Sequence, residues 1–92
     1  METCMAYFMI NYDLEKSKDY QKLITELERL GAAKAALSSW FVELDNTTSE
    51  VRDHLSGFVD DDDILIVTAF ITKPRYTRMK TPGHNWLNDR FN

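Results

Sequence analysis

Ninety-two residues, 43% hydrophobic and 28% charged, suffice for one domain and are too apolar to stay disordered; folding would bury roughly 60 to 65% of the surface of the extended chain. One cysteine, Cys4, allows neither an internal disulfide nor a cysteine-based metal site, and no basic leader or apolar run of about 18 residues is present, so a cytoplasmic protein without a membrane partner is expected. The net charge of −4 conceals a split, since residues 1–72 hold six Lys or Arg against fourteen Asp or Glu, while residues 73–92 hold five against Asp89 alone.

The run Ala6 to Asp13, AYFMINYD, is apolar at six of eight positions and reads as a central strand buried on both faces, which delivers Asp13 to the sheet edge. Tyr20, Leu23, Ile24, Leu27 and Leu30 then fall on one helical stripe, capped by Ser17 and closed by Gly31, predicting a helix over 18–30. Lys22, Glu26, Glu28 and Arg29 between them read as its solvated face. From Ala32 to Leu44 propensity conflicts with itself, alanines first and β-formers last. The spacing predicts a short strand over 34–37, a bend or bulge at Ser38 and Ser39, and a strand over 39–44 with Trp40, Val42 and Leu44 on one face and Phe41 on the other.

Thr47 with Glu50 three residues later matches a capping box, and Val51, His54, Leu55 and Phe58 make the stripe of a second helix. Asp60 to Asp63 reads as a loop, and Ile64 to Ile71, apolar on both faces, as the last strand. The order strand, helix, strand, strand, helix, strand predicts an α+β sandwich of the ferredoxin-like kind, a βαββαβ unit with two helices on one face of a four-stranded antiparallel sheet. This domain spans 1–72, and the basic aromatic tail 73–92 docks on its own or a partner subunit.

Two helices cover only one face, yet the first and last strands are apolar on both. The second face therefore calls for a cover, either the tail with Tyr76, Trp86, Leu87 and Phe91 or another subunit. A homodimer is expected, with the tail contributing an added strand near Tyr76 to Met79, a turn at Pro82 and Gly83, and an aromatic docking segment beyond. Lys73, Arg75, Tyr76, Arg78 and Lys80 interleave basic and aromatic side chains as segments that touch phosphate and stack on bases do. The same segment could instead lie on the acidic body.

The strand ending Tyr12-Asp13-Leu14, the helix ending Leu30-Gly31, the Ser38-Ser39-Trp40-Phe41-Val42-Glu43 segment and the Asp63-Ile64-Leu65-Ile66-Val67 start of the last strand resemble, in order and spacing, the CRISPR-associated Cas-two family, and more closely its stand-alone relatives. The resemblance covers about 6–71 and implies the ferredoxin-like fold and a homodimer. It implies that Asp13, the strand-end aspartate, is a catalytic carboxylate and metal ligand, paired with its copy across the dimer axis around Mg or Mn. Such a pair could activate water for phosphodiester attack. Relatives that bridge nucleic acid without cutting make a binding or scaffold role the leading expectation and a metal-dependent nuclease the alternative. A third class is a protein-interaction or inhibitor module whose acidic body meets a basic protein.

The remaining candidates have plain structural readings. Asp13 could be a turn residue complementing a helix dipole, with Asn11 on its face as support. Asp60 to Asp63 could hold a divalent cation but lacks the Gly and distant Glu of a calcium loop. His54 reads as a satisfied boundary histidine, Ser38 and Ser39 as structural, and Cys4 as lacking the electropositive neighbour of a reactive thiol.

Overall fold

A computed structural model describes residues 5–13 and 20–91. The elements are β1 (Ala6–Asp13), α1 (Gln21–Arg29), β2 (Ala33–Ala36), β3 (Ser39–Leu44), α2 (Thr48–Ser56), β4 (Ile64–Phe70) and α3 (Thr81–Arg90). The strands form one antiparallel sheet in the order β2-β3-β1-β4, an α+β arrangement compatible with a ferredoxin-like sandwich. β1 lies inside the sheet, paired with β3 on one side and β4 on the other, and its apolar side chains serve both faces along most of its length. The expected start of α1 and its Ser17 cap fall outside the described residues, as does Cys4.

Strand alternation sorts two cores onto the two faces. Phe8, Ile10 and Tyr12 of β1 join Trp40 and Val42 of β3, and Leu23, Leu27, Val51 and Leu55 of α1 and α2 close over them. On the opposite face Phe41 packs with Trp86 and Leu87 of α3 and with Ala35, while Tyr7, Met9, Phe70 and Phe91 line the margin. α1 ends at Gly31, whose φ of 79° is the left-handed conformation expected at that position. The capping box of α2 is formed, with Thr47 N donating to Glu50 Oε1 at 2.8 Å and Glu50 N to Thr47 Oγ1 at 3.1 Å.

The bulge lies one strand earlier than expected. Lys34 pairs with Trp40 and Ala36 with Ser39, so Ala35 is the extra residue, while the expected tight bend is the two-residue turn Leu37-Ser38, after which Ser39 starts β3. The tail also departs from expectation, because no strand forms over 76–79. β4 is at one edge of the sheet and β2 at the other, and the strap 71–80 runs between them, where Lys80 N donates to Ala35 O at 2.9 Å. Three strand spacings come to about 14 Å, well within the reach of ten extended residues. A strap committed to that crossing cannot also pair along β4.

Pro82 and Gly83 open α3 instead of forming a separate turn. Proline is tolerated in the first helical turn, where its missing N–H costs no helical hydrogen bond. Gly83 sits where a β-carbon would lie 2.7 Å from Ala35 Cα and 2.9 Å from Ala35 Cβ. The helix can approach the bulge only because that position has no side chain.

Candidate nucleic-acid interface

The five basic and aromatic residues singled out in the tail lie on the strap. Arg75, Tyr76, Arg78 and Lys80 are exposed and Lys73 is half-buried. Polar contacts with α3 hold the strap down. Lys73 Nζ donates to Asn88 Oδ1 at 3.2 Å, Asn88 Nδ2 faces His84 Nε2 at 2.9 Å, and His84 Nδ1 bonds the Tyr76 hydroxyl. Lysine can only donate, which fixes the Asn88 oxygen toward Lys73 and its amide hydrogens toward His84 Nε2. His84 Nε2 therefore accepts, and Nδ1 carries the proton offered to Tyr76.

No salt bridge among the described residues engages Arg75, Arg78 or Lys80. Arg90, the fifth cation of the tail, is used differently. Its Nε donates to Glu43 Oε1 at 2.9 Å and its guanidinium lies 4.1 Å from the Trp86 ring centroid, so it fastens α3 to the sheet. The strap thus presents Arg75, Arg78 and Lys80, with Tyr76 half-covered by His84, as a short cationic line. Charges spaced along an extended segment can follow a phosphate backbone, and a tyrosine beside them offers a ring for stacking.

Asp13 and the Asp60 to Asp63 loop meet at one end of the sheet. Asp13 pairs in register with Ile64, which places it at the end of β1 where the Asp60 to Asp63 loop leads into β4. Carboxylate oxygens of Asp60, Asp62 and Asp63 lie within 4.8 Å of one another. The loop is a turn in which Asp60 N donates to Asp63 Oδ2 at 2.7 Å and Asp63 N to Asp60 O at 3.0 Å. This donor set suits a hard cation such as Mg or Mn. Asp13 is exposed but does not join the three-carboxylate group. Asn11, expected to support it, is engaged across the sheet as acceptor from Ser39 Oγ.

His54 is a satisfied boundary histidine, and its partner corrects the reading of α1. Glu26 is not solvated but 6% exposed. It accepts from Arg29 Nε at 2.7 Å and Nη2 at 2.6 Å, and its Oε2 bonds His54 Nε2. The Arg29 hydrogen bonds, then the His54 bond, outweigh desolvation and hold the Glu26 carboxyl down at about 2. The Arg29 guanidinium is in turn pushed up by Glu26. A signal for this cluster exists in the sequence, because Glu26 stands three residues after Leu23 and four before Leu30, on the margin of the buried stripe. The adjoining hollow, about 220 Å³ and lined in part by Asn46, Glu50 and His54, is smaller than the roughly 300–1,000 Å³ of small-molecule sites.

No family model matches the chain, and no solved structure matches it. Among the described residues no helix is long and apolar enough to cross a membrane.

Proposed function

We propose that this chain is a ferredoxin-like homodimer, similar to the stand-alone relatives of the Cas-two family, that binds nucleic acid as a scaffold and does not cut it. The observation that carries the reading is the exposed line of Arg75, Arg78 and Lys80 on a strap anchored at both ends. A pre-ordered cationic segment loses little conformational entropy on meeting a phosphate backbone. The acidic body repels the same backbone, which confines contact to the strap face. Fluorescence anisotropy of labelled single-stranded RNA and DNA tests the reading. Binding at low salt that weakens as salt rises, and that is lost in Arg75→Ala/Arg78→Ala/Lys80→Ala, supports it. Absence of binding at low salt removes it in favour of a protein-interaction module using the acidic body.

One observation favours metal-dependent phosphodiester cleavage as a second reading: Asp13 is exposed at the same sheet end as Asp60, Asp62 and Asp63. Bound there, Mg or Mn would supply a Lewis acid and an activated water. Cleavage requiring either metal, and lost in Asp13→Ala with the fold intact, is the expected signature. Cleavage unchanged in that variant discards it.

A further inference from the structure

Both ring nitrogens of His84, exposed on α3, are engaged: Nδ1 bonds the Tyr76 hydroxyl and Nε2 lies 2.9 Å from Asn88 Nδ2. The Asn88 amide is oriented from its far end by Lys73, whose Nζ can only donate and lies 3.2 Å from Asn88 Oδ1. Nε2 must therefore offer a lone pair, and the chain from Lys73 through Asn88 to Tyr76 closes only on a neutral ring. A proton added at Nε2 points at the Asn88 amide hydrogens. The amide then has cationic donors at its two ends and one oxygen to give them.

We propose that His84 is an acid-operated latch on the strap: once protonated, it takes the Asn88 oxygen from Lys73 and releases that lysine to meet phosphate. His84 stays in place because Nδ1 carries its proton in both states, so the Tyr76 bond is kept. Lys73 leaves because its ammonium, on a flexible four-carbon stem, is readily hydrated. The other end of the strap is untouched, since Lys80 N donates to Ala35 O and Lys80 O accepts from His84 N through the backbone. Acid therefore adds two cations, Lys73 and His84, to the line of Arg75, Arg78 and Lys80 without loosening residues 76–80.

The charged groups around the ring are few. Lys73 and Tyr76 face it from the strap, Lys80 stands one turn before it, and Asp89 lies five residues on, on another side of α3. Of the two strands against α3, β2 carries Lys34, which lies over the Trp40 ring on the opposite face of the sheet, and β3 carries Glu43, which Arg90 holds. No ion pair among the described residues includes His84. His54, the other histidine, bonds Glu26 between α1 and α2, across the sheet from the strap. Histidine is the side chain that changes charge between about pH 5 and 8, and the latch is read over that interval.

The inference rests on the nucleic-acid reading above and supplies its regulation, and two readouts keep the two apart. Nitrogen-15 NMR of the free chain reads the latch. At pH 8 His84 is expected with its proton on Nδ1 and none on Nε2, and the Asn88 side-chain amide is expected to shift as the pH falls to 5.5. A proton on Nε2 at pH 8, or an Asn88 amide indifferent to pH, overturns the proposal. Anisotropy with a labelled single strand reads the consequence. At about 0.7 per phosphate contact, the slope of log affinity against log salt is expected to steepen from about −2 at pH 8 to about −3.5 at pH 5.5. Asn88→Asp offers an oxygen to each cation and is expected to keep the latch shut, with one slope at both pH values, and His84→Gln, which has no ring to titrate, is expected to show one slope as well. Steepening in either variant equal to that of the parent overturns the latch. A parent that binds with a slope indifferent to pH loses the latch and keeps the proposed function. A chain that shows the NMR signature but binds no strand at either pH loses that function, while the exchange of Asn88 between Lys73 and His84 stands.

Discussion

Glu26 is a single carboxylate that ties two helices together. Its ordinary value is 4.5 and it titrates at about 2 in the fold, so its contribution is fully present above 4.5 and is lost as pH falls from there toward 2. Urea midpoints taken at pH 7, 4 and 2.5 are expected to drop over that interval, and Glu26→Gln is expected to flatten the drop. At pH 7 the same substitution is expected to cost about 1–3 kcal/mol, since a neutral amide cannot serve both Arg29 and His54. A parent profile identical to that of Glu26→Gln would show that the carboxylate is not the group that titrates. Gly83 is the second residue on which much rests. Gly83→Ala is expected to lose about 1–3 kcal/mol by thermal unfolding, because the atoms its β-carbon meets include the Ala35 backbone. An unchanged midpoint would mean that α3 does not approach the bulge so closely.

The elements differ in how plainly the sequence declares them. β1, β3 and β4 follow from apolar runs and alternation, and α2 from its capping box, because each signal is local. α3 was hidden because its first turn contains Pro82 and Gly83, which read as a turn, and because what stabilises it is remote. Trp86 stacks on Phe41 at 5.4 Å and meets Tyr7 edge-on at 5.3 Å, contacts with partners 45 and 79 residues away. The tail's aromatic residues announced docking without announcing a helix. Glu26 was misplaced for a related reason, since its partner His54 lies on another helix. Trp86→Ala is expected to destabilise the chain by about 3–5 kcal/mol and to free the strap, which limited proteolysis near residues 73–80 would detect. Equal resistance of parent and variant to cleavage would contradict a strap held by α3.

At the scale of the whole molecule the charge split visible in the sequence becomes a spatial one. Asp13 and Asp60 to Asp63 lie where β1 ends and β4 begins, and the exposed cations Arg75, Arg78 and Lys80 line the strap between β4 and the start of α3. What the sequence could not convey is that the strap crosses from one sheet edge to the other, and so leaves β4 open while presenting Arg75, Arg78 and Lys80 together. The central claim is that this cationic line binds nucleic acid. The most direct measurement is the salt dependence of affinity for a labelled single strand, for the parent and for Arg75→Ala/Arg78→Ala/Lys80→Ala. Three phosphate contacts correspond to a slope of log affinity against log salt of about −2, which the triple variant should lose along with most of its low-salt affinity. A parent that fails to bind at low salt, or a triple variant with the parent's affinity and slope, would contradict the account.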